Sequence, residues 1–282
     1  MLSSKVLRYA AAMGDPLSPV MERLVLFIVI ATFLTALLFF ALTLYKGIKH
    51  LREDRKKAKF QAALENVLFH YLFEEKSLEE VLGDPIFRAM KRDVLFQRVA
   101  IKAIISLHDN YSGIYSKKLE QFFEVSGLVN YSIARLESSK WPFIVEGVRD
   151  LSTLNHDASY SRIASRITHP HELVKMEVLL ALIKMRGIGE ITKFQKTGLL
   201  LNDWVQSNIL YTVKKHKIAA PANLGIMLSS PNKTVVLLGV RLIRYYQVAE
   251  HDETLSGLIS ETADAKLKRE ISEVLAKNTL VN

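Results

Sequence analysis

The pattern of apolar and polar positions changes twice along the chain. From Leu24 to Tyr45 every position is apolar or small: the run of 22 residues holds no charge, no proline and no glycine. As a helix it would reach roughly 33 Å, against a bilayer hydrocarbon core of roughly 30 Å. A soluble core helix is rarely apolar on all faces for so long, so the pattern predicts a transmembrane helix. From Lys46 to Leu72 the pattern becomes one-sided. Phe60, Ala63, Leu64, Val67, Leu68, Tyr71 and Leu72 recur at three and four residues and predict an amphipathic helix. Gly83-Asp84-Pro85 supplies a stop and a new start.

Beyond Ile86 a third pattern takes over. Phe143, Val174, Val205, Val235 and Leu267 are spaced 31, 31, 30 and 32 residues apart. Four residues after each stand Gly147, Val178, Ile209, Gly239 and Ile271. Five after stand Val148, Leu179, Leu210, Val240 and Ser272; eight after stand Leu151, Leu182, Val213, Ile243 and Leu275. Offsets 0, 4, 5 and 8 share one helical face, so all of these positions are expected inside, and Lys175 and Gln206 outside. Gly147 and Gly239 fit a close helix crossing, where small size outweighs a helix cost of about 1 kcal/mol. Ile133, Ile163, Phe194, Leu224 and Leu255 precede the anchors by ten to twelve residues, which predicts a first helix in each unit. Turns are expected at Lys140-Trp141-Pro142, His169-Pro170, Gly198 and Ser230-Pro231-Asn232. An earlier copy lies at Val99, Ala103, Ile104 and Leu107, separated from the next by an additional helix over Ile114 to Val125.

Helix pairs at this period bury their apolar faces only by stacking on neighbours. The chain resembles the HEAT-like repeat family over roughly Phe96 to Lys277, in the short version of about 30 residues seen in bacterial proteins and in phycobilin-lyase subunits. The resemblance rests on periodic apolar positions and implies an all-α fold: one transmembrane helix followed by an α-solenoid of about six helix pairs. The expected organisation is a tail over residues 1–23, the span over 24–45, a basic juxtamembrane helix over 46–84 and the repeat domain over 85–282. A membrane-anchored chain of this kind is also similar to bacterial accessory proteins of membrane glycosyltransferases in polysaccharide export. That likeness implies a protein partner of this type at the inner membrane.

The charge changes the picture only once it is located. Of the formal +9, a net +5 lies between Lys46 and Lys59, where Lys46, Lys49, Arg52, Arg55, Lys56, Lys57 and Lys59 face only Glu53 and Asp54. Seven basic residues therefore follow the span, and Lys5, Arg8 and Arg23 precede it. This asymmetry predicts the N-terminus outside and the C-terminal part in the cytoplasm, with the span retained as an anchor rather than cleaved as a signal. Pro16 and Pro19 are expected to break any helix before it. Lys49, Arg52, Arg55, Lys56, Lys57 and Lys59 would attract anionic lipid at about 1 kcal/mol per basic residue near the surface. With the excess charge beside the membrane, a nucleic-acid partner is disfavoured. Ala31, Thr32, Thr35 and Ala36 have the spacing at which two spans approach closely, so self-association through the span is open.

Candidate chemistry is sparse. Cysteine is absent, which excludes disulfides, thiolate metal sites and cysteine nucleophiles. No phosphate-binding loop and no G-x-S-x-G occurs, and Gly187-Ile-Gly189 lacks the strand that a dinucleotide fingerprint needs. His171-Glu172 is followed by Lys175 where a zinc protease would carry its second histidine. His169 and His171 flank Pro170 as parts of a helix-start turn, and the Glu74, Glu75, Glu79 and Glu80 cluster reads as a solvated helix face. Trp141 and Trp204 stand just before repeat anchors and are expected in the core. No catalytic, metal or cofactor residue is assigned, and the expected role is binding rather than catalysis.

One recurrence is charged. Lys184, Lys215, Arg244 and Lys277 stand nine or ten residues beyond their anchors, and Arg149, Tyr211 and Arg241 six beyond theirs. Cations at helix C-termini complement the macrodipole by 0.3–1 kcal/mol each. Aligned in a stack, the same residues would form a partner-binding edge. The leading expectation is thus a membrane-anchored scaffold or adaptor. The alternatives are a lyase-type enzyme subunit using the groove of the repeats and, less favoured, a nucleic-acid binder.

Overall fold

The computed structural model describes residues 19–74, 76–194, 200–221 and 224–279. Most of the N-terminal tail, with Lys5, Arg8 and Pro16, lies outside the described residues, as do Glu75 and the turn expected at Gly198. The described residues form fifteen α-helices and no strand.

Helix α1 runs from Pro19 to Phe73, 55 residues without a break. Pro19 begins this helix rather than breaking it, because a first helical position needs neither the missing N–H nor a free φ. Its first part is the one helix among the described residues long and apolar enough to cross a membrane. Leu24 to Tyr45 is exposed along almost its whole length, and only Ala31 is partly covered. Thr32 and Thr43 donate their hydroxyls back to the carbonyls of Ile28 and Phe39 at 2.9 and 2.8 Å, so neither presents an unpaired O–H.

The chain divides at Lys59 into two compact units, and the second begins at Phe60. The last turns of α1 belong to that second unit, where Phe60, Leu64, Val67, Leu68, Tyr71 and Leu72 are buried. Helices α2 (Leu78–Gly83), α3 (Pro85–Met90), α4 (Val94–Asn110) and α5 (Ile114–Val125) follow. The Ser77 hydroxyl and Glu80 form a capping box on α2, while the Asp84 and Asp93 carboxylates cap α3 and α4. An aromatic cluster joins them: Phe96 meets Phe60 at 5.4 Å and Phe87 at 5.7 Å, and Phe87 meets Phe122 at 5.7 Å.

The remaining helices come in pairs. They are α6 (Val129–Leu136), α7 (Trp141–Thr153), α8 (Tyr160–Ala164), α9 (Glu172–Arg186), α10 (Ile191–Phe194), α11 (Asp203–Lys215), α12 (Leu224–Leu228), α13 (Lys233–Tyr246), α14 (Asp252–Glu261) and α15 (Ala265–Thr279). Each of α6, α8, α12 and α14 packs on the helix that follows it. The longer helices also touch in series: α4 on α7, α7 on α9, α9 on α11, and α13 on α15. Hydrogen bonds bridge α11 to α13, where the Gln206 amide donates to the Thr234 carbonyl at 3.1 Å.

Most of the periodic positions lie inside. Val174, Val178, Leu179 and Leu182 of α9 are fully buried, as are Ile209 and Val213 of α11 and Val240 and Ile243 of α13. A Cβ on Gly147 would stand 2.6 Å from the Ser132 carbonyl oxygen and 2.5 Å from the Leu136 nitrogen, so α7 crosses α6 backbone to backbone. Phe143, Val205, Leu210 and Leu275 are half-buried, and Ser272 is exposed.

Two further expectations are overturned. Gln206 is 1% exposed, because its amide bonds the Leu201 and Thr234 carbonyls and its oxygen accepts from Arg241. Those bonds offset the desolvation that would otherwise keep an amide outside. The tryptophans are not core residues: Trp141 is 39% exposed and stacks on His171 at 4.1 Å, and Trp204 is 53% exposed.

Candidate functional site

The helix pairing brings α7, α9 and α11 side by side, and their neighbouring faces form an open groove of about 390 Å³. Arg149 and Thr153 reach it from α7, Glu177 and Lys184 from α9, and Asn208, Tyr211 and Lys215 from α11. Four of the seven residues singled out by their recurrence, Arg149, Lys184, Tyr211 and Lys215, therefore meet in one place. Arg149 and Thr153 also line a second cavity of about 470 Å³, which continues between α4 and α7 past Lys102, Tyr131, Glu146 and Asp150.

The three other recurrent residues stand elsewhere. Arg241 is only 12% exposed and is held by Glu270 at 2.6 Å and Asp203 at 3.0 Å. Arg244 pairs with Glu270 at 3.1 Å and Glu273 at 2.9 Å. These two arginines tie α13 to α15, and their charge is already met. Lys277 is exposed on α15 and lines neither cavity. The expected strip is thus divided into a groove and a structural ion-pair cluster.

Within the groove the electrostatics are uneven. Arg149 is ion-paired with Glu177. Lys184 is half-buried and donates to the Thr153 hydroxyl at 3.0 Å. Burial, and to a lesser degree the neighbouring Lys215, hold its ammonium below the usual lysine range, with Asp109 opposing them. Lys215 lies 3.8 Å from Asp109, a loose contact. Burial and then Lys184 and Lys215 push the His216 imidazole below its ordinary value, which favours its neutral form at neutral pH.

The second cavity carries a group that no motif revealed. Asp150 is buried, and its carboxyl is pushed up to about 7, chiefly by burial. Glu146 adds to the rise, while the Ser132 hydrogen bond, Arg135 and Lys102 oppose it. Only its position seven residues after Phe143, on the covered side of α7, hinted at burial, and no other repeat has an acid there.

No family model, no curated protein and no solved structure matches the chain. Its function is therefore read from the groove itself.

The histidine pair serves its turn. His169 Nδ1 accepts from the His171 backbone N–H at 3.1 Å, and His171 Nδ1 accepts from the Leu173 N–H at 3.3 Å. Among the described residues no cluster of three or more histidines and carboxylates is arranged to hold a metal. In the segment expected beside the membrane Lys49, Arg52, Arg55, Lys56 and Lys59 are exposed, and Lys57 bonds Asp54 at 3.0 Å.

Proposed function

We propose that this protein is a membrane-anchored docking protein. Leu24–Tyr45 spans the bilayer with the N-terminus outside, and the helical unit from Phe60 onward works in the cytoplasm as a HEAT-like solenoid. The serial packing of α4, α7, α9 and α11, with a shorter helix behind α7 and α9, supports the solenoid reading. The juxtamembrane lysines and arginines favour both the orientation and contact with anionic headgroups.

The observation that carries the function is the convergence of Arg149, Lys184, Tyr211 and Lys215 on one open groove. Tyrosine and arginine are among the side chains that carry most of the binding energy at protein interfaces, and lysines beside them set register and encounter rate. The occupant proposed is another protein at the membrane.

A photo-crosslinking residue at position 211 in native membranes tests this. The expected result is one discrete adduct with a protein partner, absent when the same probe replaces exposed Glu253 on α14. Equal labelling from both positions, or no adduct from position 211, would reject the groove as the docking surface.

A further inference from the structure

The face of α11 that lines the groove through Asn208, Tyr211 and Lys215 also carries Trp204, about one turn nearer the helix start. Trp204, Asn208, Tyr211 and Lys215 are four, three and four residues apart, the spacing that lines up one helical face. Tyr211 is 63% exposed, so this face presents two large aromatic side chains and an ammonium in a row. Along the axis, Trp204 and Tyr211 are roughly 10 Å apart, and Lys215 lies about 6 Å further on.

The charge at the basic end limits what fits there. Arg149 and Glu177 cancel, and burial disfavours a charge on His216. Lys184 and Lys215 then face the single carboxylate of Asp109, which leaves one positive charge in excess. Both lysines sit in the last turns of α9 and α11, where the partial negative end of each helix offsets them further. A phosphate dianion would overcompensate this site. A single carboxylate matches it.

Resting on the docking role proposed above, we infer that the groove receives a short acidic–aromatic segment of the partner protein. One aspartate or glutamate carboxylate sits between Lys184 and Lys215, and an apolar or aromatic side chain of the same segment lies over Tyr211 and Trp204. The two groups must stand about 6–16 Å apart, which two to five residues of extended chain span at about 3.3 Å each. The cations set register and encounter rate, and the aromatic faces supply most of the affinity.

The test uses the full chain in detergent micelles and a dye-labelled nine-residue peptide of glutamate, alanine and phenylalanine, read by anisotropy. Controls replace its glutamates by glutamine or its phenylalanines by alanine. Saturable binding of the acidic–aromatic peptide is expected, with both controls weaker by about tenfold or more. Lys184→Gln combined with Lys215→Gln should weaken binding by a similar factor, as should Trp204→Ala. Because Lys184 is half-buried, Lys215→Glu alone, at an exposed position, serves as the second variant and should also weaken binding. In a Trp141→Phe chain Trp204 is the sole tryptophan, and its emission should shift to the blue as the peptide covers it. Equal affinity for the three peptides, no saturable binding by any, or displacement by millimolar inorganic phosphate would each overturn the inference. If position 211 still crosslinks to a protein in membranes, the docking role survives and only the acidic–aromatic segment is lost.

Discussion

The Ser132 hydroxyl on α6 donates to Asp150 Oδ2 on α7 at 2.9 Å, at a helix crossing where both side chains are buried. Desolvation raises the carboxyl to about 7, so between pH 4 and 7 the folded state holds a proton that the unfolded state has released. The contribution to stability is full below the unfolded pKa of about 4 and is lost as pH rises through 7. We expect thermal unfolding followed by circular dichroism to show the chain losing about 2–4 kcal/mol from this group over that range. Asp150→Asn should flatten the slope relative to wild type while keeping an acceptor for Ser132. An unchanged slope would place the carboxyl in an ordinary environment.

The crossing itself tolerates no added atom at Gly147. A methyl group there would meet the Ser132 and Leu136 backbone, which neither helix can withdraw without unseating the pair. Gly147→Ala should cost about 2–3 kcal/mol or more. Gly239→Ala should cost less, since its new methyl would meet the Met227 Cβ at 3.0 Å and no closer backbone. Denaturant midpoints of the two variants decide the order.

Gln206 should behave as a core residue. Gln206→Ala leaves the Leu201 and Thr234 carbonyls and Arg241 each short of one bond, at a cost of about 1–3 kcal/mol. Leu179→Ala, at a fully buried site, should cost about 2–5 kcal/mol. A silent Gln206→Ala in the same melts would mean that its bonds add nothing to stability.

Arg241 is expected to act on stability and not on partner binding. Removing its charge leaves Glu270 with Arg244 alone, so Arg241→Gln should destabilise by about 1–3 kcal/mol. Adding Glu270→Gln should restore part of that loss. The folded single variant should give the same position-211 crosslink as wild type.

Topology is checked by fusion. A reporter active only in the cytoplasm should work when placed after Asn282, because seven basic residues follow the proposed span and three precede it. Activity of a reporter that needs the outer side would reverse the orientation.

What the sequence determined by itself is whatever depends on a local or periodic pattern. The run from Leu24 to Tyr45 is apolar in composition alone, so its capacity to cross a membrane needs no knowledge of its neighbours. The helix start at Pro85 follows from Asp84 and from the proline itself. Burial of Val174, Val178 and Leu182 follows from their spacing on one helix. The tertiary structure alone decided the polar positions. Arg149 and Arg241 occupy the same place in their repeats. Each pairs with a glutamate at the equivalent place on the next long helix, Glu177 and Glu270. Arg241 is also held by Asp203 and Gln206 of the preceding long helix and is 12% exposed, while Arg149 stays 62% exposed and opens on the groove. The two are separated by the polar partners that the preceding helix offers. Gln206 goes in on α11 for the same reason, received by the Leu201 and Thr234 carbonyls and by Arg241. An apolar side chain gains from any contact that excludes water, so on the anchor face of α9 spacing suffices to place Val174, Val178 and Leu182. A polar one gains only where a partner of matching charge and geometry stands within about 3 Å, and those partners come from other helices.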